Sequence, residues 1–129
     1  MDERLIDELV SDWDEVYKRG QLSLWVLLAI ADGKKYAGQI TDFMSNATGD
    51  VFGVKEQSLY RALRRFDGMG LVKITKEVSP NSGPKHKYYE LTDVGEVVIA
   101  RFVRRNVAPL LQPEIQTLLT AVQAKGDLR

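Results

Sequence analysis

Lys55-Glu56-Gln57-Ser58-Leu59-Tyr60-Arg61-Ala62-Leu63-Arg64-Arg65-Phe66, followed by Leu71-Val72-Lys73-Ile74-Thr75-Lys76-Glu77-Val78 and then Lys85-His86-Lys87-Tyr88-Tyr89-Glu90-Leu91, decides the fold of this 129-residue chain. In the first run Leu59, Leu63 and Phe66 recur at helical spacing with Ala62 beside them, which predicts a helix over Lys55 to Met69. At about 100° per residue, Gln57, Tyr60, Arg61 and Arg64 fall on the opposite side of that helix. Gly68 and Gly70 end it. The period then changes to two, so 71–78 and 85–91 read as strands. Ser79-Pro80-Asn81-Ser82-Gly83-Pro84 between them is a strong turn signal, and together they make a β-hairpin with a basic tip.

Upstream, Leu5, Ile6, Leu9, Trp13, Val16 and Tyr17 form an apolar stripe on a helix predicted over Glu3 to Arg19, which Gly20 stops. A second helix is predicted from Ser23, as N-cap, to Ala31. Its run Leu24-Trp25-Val26-Leu27-Leu28-Ala29-Ile30 is apolar nearly all round and belongs in a core. A third helix is predicted over Ala37 to Asn46, with Ile40, Phe43 and Met44 inward and a polar loop from Asn46 to Gly53. Downstream, Thr92 caps a helix whose apolar side is Val94, Val97, Val98, Phe102 and Val103. Pro113 opens a last helix, to Lys125, carrying Ile115, Leu118, Leu119 and Val122.

Helices followed by a hairpin, with basic residues on the helix before the hairpin and at its tip, describe a winged helix-turn-helix. The chain divides into an N-terminal amphipathic helix (1–20), a winged-helix domain (21–105) and a C-terminal helix (106–129). The last helix has an apolar stripe with no obvious partner in so small a domain. Packing back on the first helix would cover it, as would a dimer. The dimer is favoured, because two-fold readers of DNA place two recognition helices one turn apart. Ile115, Leu118, Leu119 and Val122 are then the dimerisation residues.

Composition agrees with a globular domain: 44% hydrophobic and 28% charged, with no cysteine and one histidine. The absence of cysteine excludes disulfides and thiolate metal sites, and neither a metal site nor a cofactor is expected. A bilayer span needs about 20 apolar residues, and no run approaches that length. The acidic start MDERLIDELV is unlike a signal peptide, which points to a cytoplasmic protein. Net charge is zero, yet residues 1–54 carry five basic and ten acidic side chains whereas 55–105 carry eleven basic and six acidic. A basic middle is the electrostatic footprint of a polyanion binder.

A helix fits the major groove of B-DNA, and side chains near its N-terminus reach base edges. Gln57 suits adenine, and Arg61 and Arg64 suit guanine or phosphate. Lys55, Ser58 and Tyr60 share that helix. Lys85 and Lys87 of the hairpin suit phosphate, while strand alternation turns His86 to the other side, where it reads equally as a surface residue. Trp13, Tyr17 and Trp25 read first as core. They are also candidates for a flat apolar effector, because such rings offer broad faces with a polar handle. No catalytic constellation is visible, so an enzyme is not expected. The rival to a DNA reader is a winged-helix module for protein–protein contact.

Ser58-Leu59-Tyr60-Arg61-Ala62-Leu63-Arg64-Arg65-Phe66, Gly70-Leu71-Val72 and Gly83-Pro84-Lys85-His86-Lys87-Tyr88-Tyr89-Glu90-Leu91-Thr92-Asp93-Val94-Gly95 together resemble the PadR family of winged-helix transcriptional regulators. The resemblance runs from about Leu22 to Phe102. It implies a dimeric repressor of a pseudo-palindromic operator on double-stranded DNA, often released by a small aromatic molecule. It also implies that Ser58, Tyr60, Arg61 and Arg64 occupy recognition-helix positions and Lys85 and Lys87 wing positions. Where the family often has His-Gly-Tyr-Glu-Ile, this chain has Tyr36-Ala37-Gly38-Gln39-Ile40. The brief C-terminal part implies a single dimer helix.

Overall fold

A computed structural model describes residues 1–78 and 83–129. The predicted turn residues Ser79, Pro80, Asn81 and Ser82 lie outside the described residues. The order is α1 (Glu3–Ala31), α2 (Ala37–Thr48), α3 (Glu56–Gly68), β1 (Val72–Val78), β2 (Lys85–Leu91), α4 (Asp93–Asn106), a 3-10 turn (Ala108–Leu111) and α5 (Pro113–Asp127). This is mainly helical with one antiparallel two-stranded hairpin.

The two helices expected before Ala31 are one. Asp2 caps α1, its Oδ1 accepting from the Leu5 N–H at 3.1 Å, and the helix runs unbroken through Gly20. An interior glycine costs a helix about 1 kcal/mol. The buried turn that follows, with Val26, Leu27, Ala29 and Ile30 in the core, holds the helix together across that position. Ser23 is therefore not an N-cap; its hydroxyl accepts from Arg65 Nη2 on α3 at 2.8 Å. The real stop is Asp32-Gly33, where Gly33 takes a φ of +148°. Lys35 finishes the job, its Nζ donating to the Ala29 and Gly33 carbonyls at 2.7 and 3.2 Å.

Helix α2 runs two residues beyond the expected Asn46, to Thr48, and ends on Gly49 in the left-handed region. Thr48 Oγ1 donates to the Met44 carbonyl and accepts from the Phe52 N–H, which turns Phe52 inward. Phe52 is buried, so the stretch expected to be a polar loop supplies a core residue. On α3, Leu59, Ala62, Leu63 and Phe66 are buried, as the spacing predicts. They meet Val26, Ala29 and Ile30 of α1, Ile40 and Met44 of α2, and Leu71, Val72 and Tyr89 of the hairpin.

The hairpin register pairs Val72 with Leu91, Lys73 with Glu90 and Val78 with Lys85. The segment before α2 adds a third strand position: Lys35 and Tyr89 exchange both backbone hydrogen bonds, at 3.1 and 2.8 Å. One residue thus caps α1 with its side chain and ties down the hairpin with its backbone. Thr92 caps α4, its Oγ1 accepting from the Gly95 N–H at 3.0 Å and donating to the Gly70 carbonyl at 2.6 Å.

Much apolar surface has no cover within one chain. Leu5, Leu9, Trp13, Val16 and Tyr17 of α1, Val97, Val98 and Phe102 of α4, and Leu118, Leu119 and Val122 of α5 are all exposed. Trp13 keeps 75% of its surface. Helix α5 buries none of its residues, and its principal neighbour is the 3-10 turn before it. Among the described residues, no helix is long and apolar enough to cross a membrane.

Candidate nucleic-acid interface

Gln57, Tyr60, Arg61 and Arg64 lie exposed on the outer face of α3 and line one shallow groove. Burial of Leu59, Leu63 and Phe66 fixes that orientation, because the helix cannot rotate without exposing its core face. Arg65 departs from this cluster. Its guanidinium reaches back to Ser23, so it ties α3 to α1 and leaves the outer face to Arg61 and Arg64.

Lys55 and Ser58 sit on a different side. They share a surface groove with Lys18, Arg19 and Leu22 of α1, where Ser58 is half-buried. Tyr60 joins the α3 cluster to the hairpin: with Tyr36, Ala37 and Gly38 at the start of α2 and Lys85, His86, Lys87 and Tyr89 of β2, it lines a concavity. Recognition-helix and wing candidates therefore meet across the N-terminus of α2.

Among the described residues, ion pairs join Arg4 to Glu8, Lys34 to Glu77, Lys35 to Asp32 and Lys73 to Glu90. Lys55, Arg61, Arg64, Lys85 and Lys87 have no carboxylate within ion-pair reach among the described residues. Unpaired cations beside one another repel, and a phosphodiester backbone relieves that repulsion. Beneath the cluster, burial pushes the Tyr89 phenol above its ordinary value of 10.0, with smaller pushes from Tyr60 and Asp67. Arg64 pushes the other way, by less.

Two contacts fasten the hairpin beside α2. Lys34 Nζ donates to both Glu77 carboxylate oxygens, at 2.8 and 2.9 Å, and Thr75 Oγ1 donates to Glu77 at 2.7 Å. These bonds hold Glu77 below the usual glutamate value and raise Lys34 above the usual lysine value. His86 is half-buried, its ring stacked on that of Tyr36 with centroids 4.3 Å apart and planes at 13°. His86 is therefore more than the surface residue that strand alternation allows. Strand alternation still leaves Lys85 and Lys87 exposed on either side of it.

The aromatic residues considered for an effector do not converge. Trp13 and Tyr17 are exposed on the first half of α1, and Trp25 packs against the core from the second half. A separate apolar groove between α1 and α4 is lined by Gly20, Ser23, Leu24, Leu27, Val98, Ile99 and Phe102. Among the described residues, no group of three His, Asp or Glu side chains is placed to hold a metal ion.

Residues 26–101 match the model of the transcriptional regulator PadR-like family. An uncharacterized protein of Lysinibacillus sphaericus is 30% identical over 87 residues, which is 67% of this chain and 78% of that one. A PadR family transcriptional regulator from Eggerthella lenta shares the fold at a TM-score of 0.65, with 21% identity over 90% of this chain and 96% of that one. Bacillus subtilis PadR, solved in complex with operator DNA, shares it at a TM-score of 0.56, with 20% identity over 64% of this chain and 46% of that one. A family match spanning more than half of the residues, on a helical body with the expected two-stranded wing, means that the chain belongs to the PadR-like family of transcriptional regulators.

Proposed function

We propose that the chain is a sequence-specific DNA-binding regulator that acts as a homodimeric repressor. The observation that carries this reading is the exposed, unpaired set of Gln57, Arg61 and Arg64 on α3, joined through Tyr60 to Lys85 and Lys87 of the wing. Gln57 and the arginines have the donor and acceptor patterns of base edges, whereas Lys55, Ser58, Lys85 and Lys87 suit the backbone. The exposed apolar faces of α1 and α5 support a two-fold dimer, with Ile115, Leu118, Leu119 and Val122 in its interface. Such a dimer sets two α3 helices into successive major grooves about 34 Å apart. Trp13 and Tyr17, one helical turn apart on the uncovered half of α1, would meet a small aromatic effector between two copies, whereas Trp25, packed against the core, would stand apart from it. Titration of the chain's two tryptophans by fluorescence with phenolic compounds tests that part; no change in emission removes it.

The decisive experiment selects a duplex from a random-sequence pool with the parent protein, then measures affinity by anisotropy across a salt series. Steep salt dependence and preference over an unrelated duplex are the expected outcome. Arg61→Ala with Arg64→Ala is expected to weaken specific binding by about 10- to 100-fold and leave the far-ultraviolet spectrum unchanged. Arg65→Ala serves as the control and is expected to retain specific affinity. Equal binding by parent and double variant would overturn the assignment of α3. An uncovered apolar α1 without any selected duplex would favour the protein-partner module instead.

A further inference from the structure

We propose that Tyr36 is a positioning residue for the wing: seated in the space left by Gly38, its ring stacks on His86 and fixes the outer part of β2, so that Lys85 and Lys87 stand beside Tyr60. The inference rests on the DNA-binding reading for its consequence, though not for its geometry.

Among the described residues, the backbone bonds between the strands themselves and the body are those exchanged by Lys35 and Tyr89. His86 lies three residues further toward the tip, about 10 Å along an extended strand. Among the described residues no backbone pairing with the body lies at that level; the Tyr36–His86 stack supports β2 there, and the Lys34–Glu77 pair supports β1 at the rung opposite His86. Tyr36 is itself held from two directions. Its N–H donates to Gln39 Oε1 at 3.1 Å, which fixes the start of α2, and the Tyr88 ring stands perpendicular to its own, with centroids 5.5 Å apart and planes at 87°.

Gly38 makes the seat. A Cβ at that position would lie 3.1 Å from Tyr36 Cε2 and 3.6 Å from Cδ2, so any larger side chain must push the ring. Glycine has no backbone reason to be there, since Gly38 is an ordinary helical residue and lacks a positive φ. Its use is spatial. With His86 turned onto Tyr36, strand alternation sends both neighbouring lysines outward. One aromatic contact therefore sets the direction of two cations.

The chain has one histidine, so its ring resonances are unambiguous. Nuclear magnetic resonance of the full-length protein reads them directly. Tyr36→Leu and Gly38→Leu are expected to shift the His86 ring protons toward solvent-exposed values, and Tyr36→Phe to keep them in place. In Tyr36→Leu the Lys85 and Lys87 amides are expected to exchange with solvent faster than in Tyr36→Phe. Affinity for the selected duplex is expected to fall roughly 2- to 10-fold in Tyr36→Leu and to return in Tyr36→Phe. Unchanged histidine resonances in Tyr36→Leu overturn the stack. Shifted resonances with unchanged Lys85 and Lys87 exchange overturn the positioning role. Should the parent select no duplex, the DNA-binding reading fails by itself, and the exchange measurement still decides whether Tyr36 holds the wing.

Discussion

Glycines in this chain look alike in sequence and act in three different ways. Gly33, Gly49 and Gly70 take positive φ and end or follow helices. Gly20 sits inside α1 with nothing near the place where a Cβ would be. Gly95 lets α4 approach so closely that a Cβ would press into the Leu71 carbonyl. Gly20→Ala should therefore stabilise the protein by about 0.5–1 kcal/mol, because only the entropy of the unfolded chain and helix propensity change. Gly95→Ala should destabilise it by about 2–4 kcal/mol, since α4 must lift off the start of β1. Urea unfolding of both variants checks the pair; equal and opposite small effects would contradict this difference. The predicted stop at Gly20 failed for this reason: a glycine announces freedom, and only the neighbours decide how it is used. Thr92 was legible, because a cap and its fourth-position partner are local. Tyr36 and His86 were not, because no periodicity connects two residues brought together by the docking of a hairpin on a helix start.

The wing has a second fastening, at Lys34 and Glu77, and it is pH-dependent. Glu77 titrates below its ordinary value of 4.5, so its stabilisation is fully present above that value and is lost as pH falls through the lowered one. Lys34 titrates above 10.5, so its contribution is present below that value and fades as pH rises through the raised one. The fastening is complete between these limits. Both side chains are solvent-exposed, so the energy involved is small. Glu77→Gln should flatten the loss of wing order on acidification below pH 4.5, read from Lys76 and Val78 amide exchange, with little change at neutral pH. An acid limb as steep as the parent's would locate the sensitivity elsewhere. The sequence showed both strands because alternation is short-range, whereas their register came only with the structure. It did not show which loop would hold them, since Lys34 and Glu77 are far apart along the chain.

At the scale of the whole molecule, charge and apolar surface are divided between regions. Outside the winged-helix core, the first half of α1 and all of α5 display apolar side chains that water covers in a single copy. Removal of Pro113–Arg129 should convert the proposed dimer to a monomer in sedimentation while the remaining helices and hairpin stay folded, because α5 contributes nothing to the buried core. A truncated chain that still sediments as a dimer would remove α5 from the interface. The order of elements was readable at this scale, whereas the continuity of α1 was not. That continuity has a mechanical meaning. A 29-residue helix is a rod of about 44 Å, half of it outside the core and half inside. With no joint at Gly20, a tilt of a few degrees imposed on the free half cannot be absorbed along the way. Any tilt imposed on the uncovered half would be carried, as one body, into the half that packs in the core.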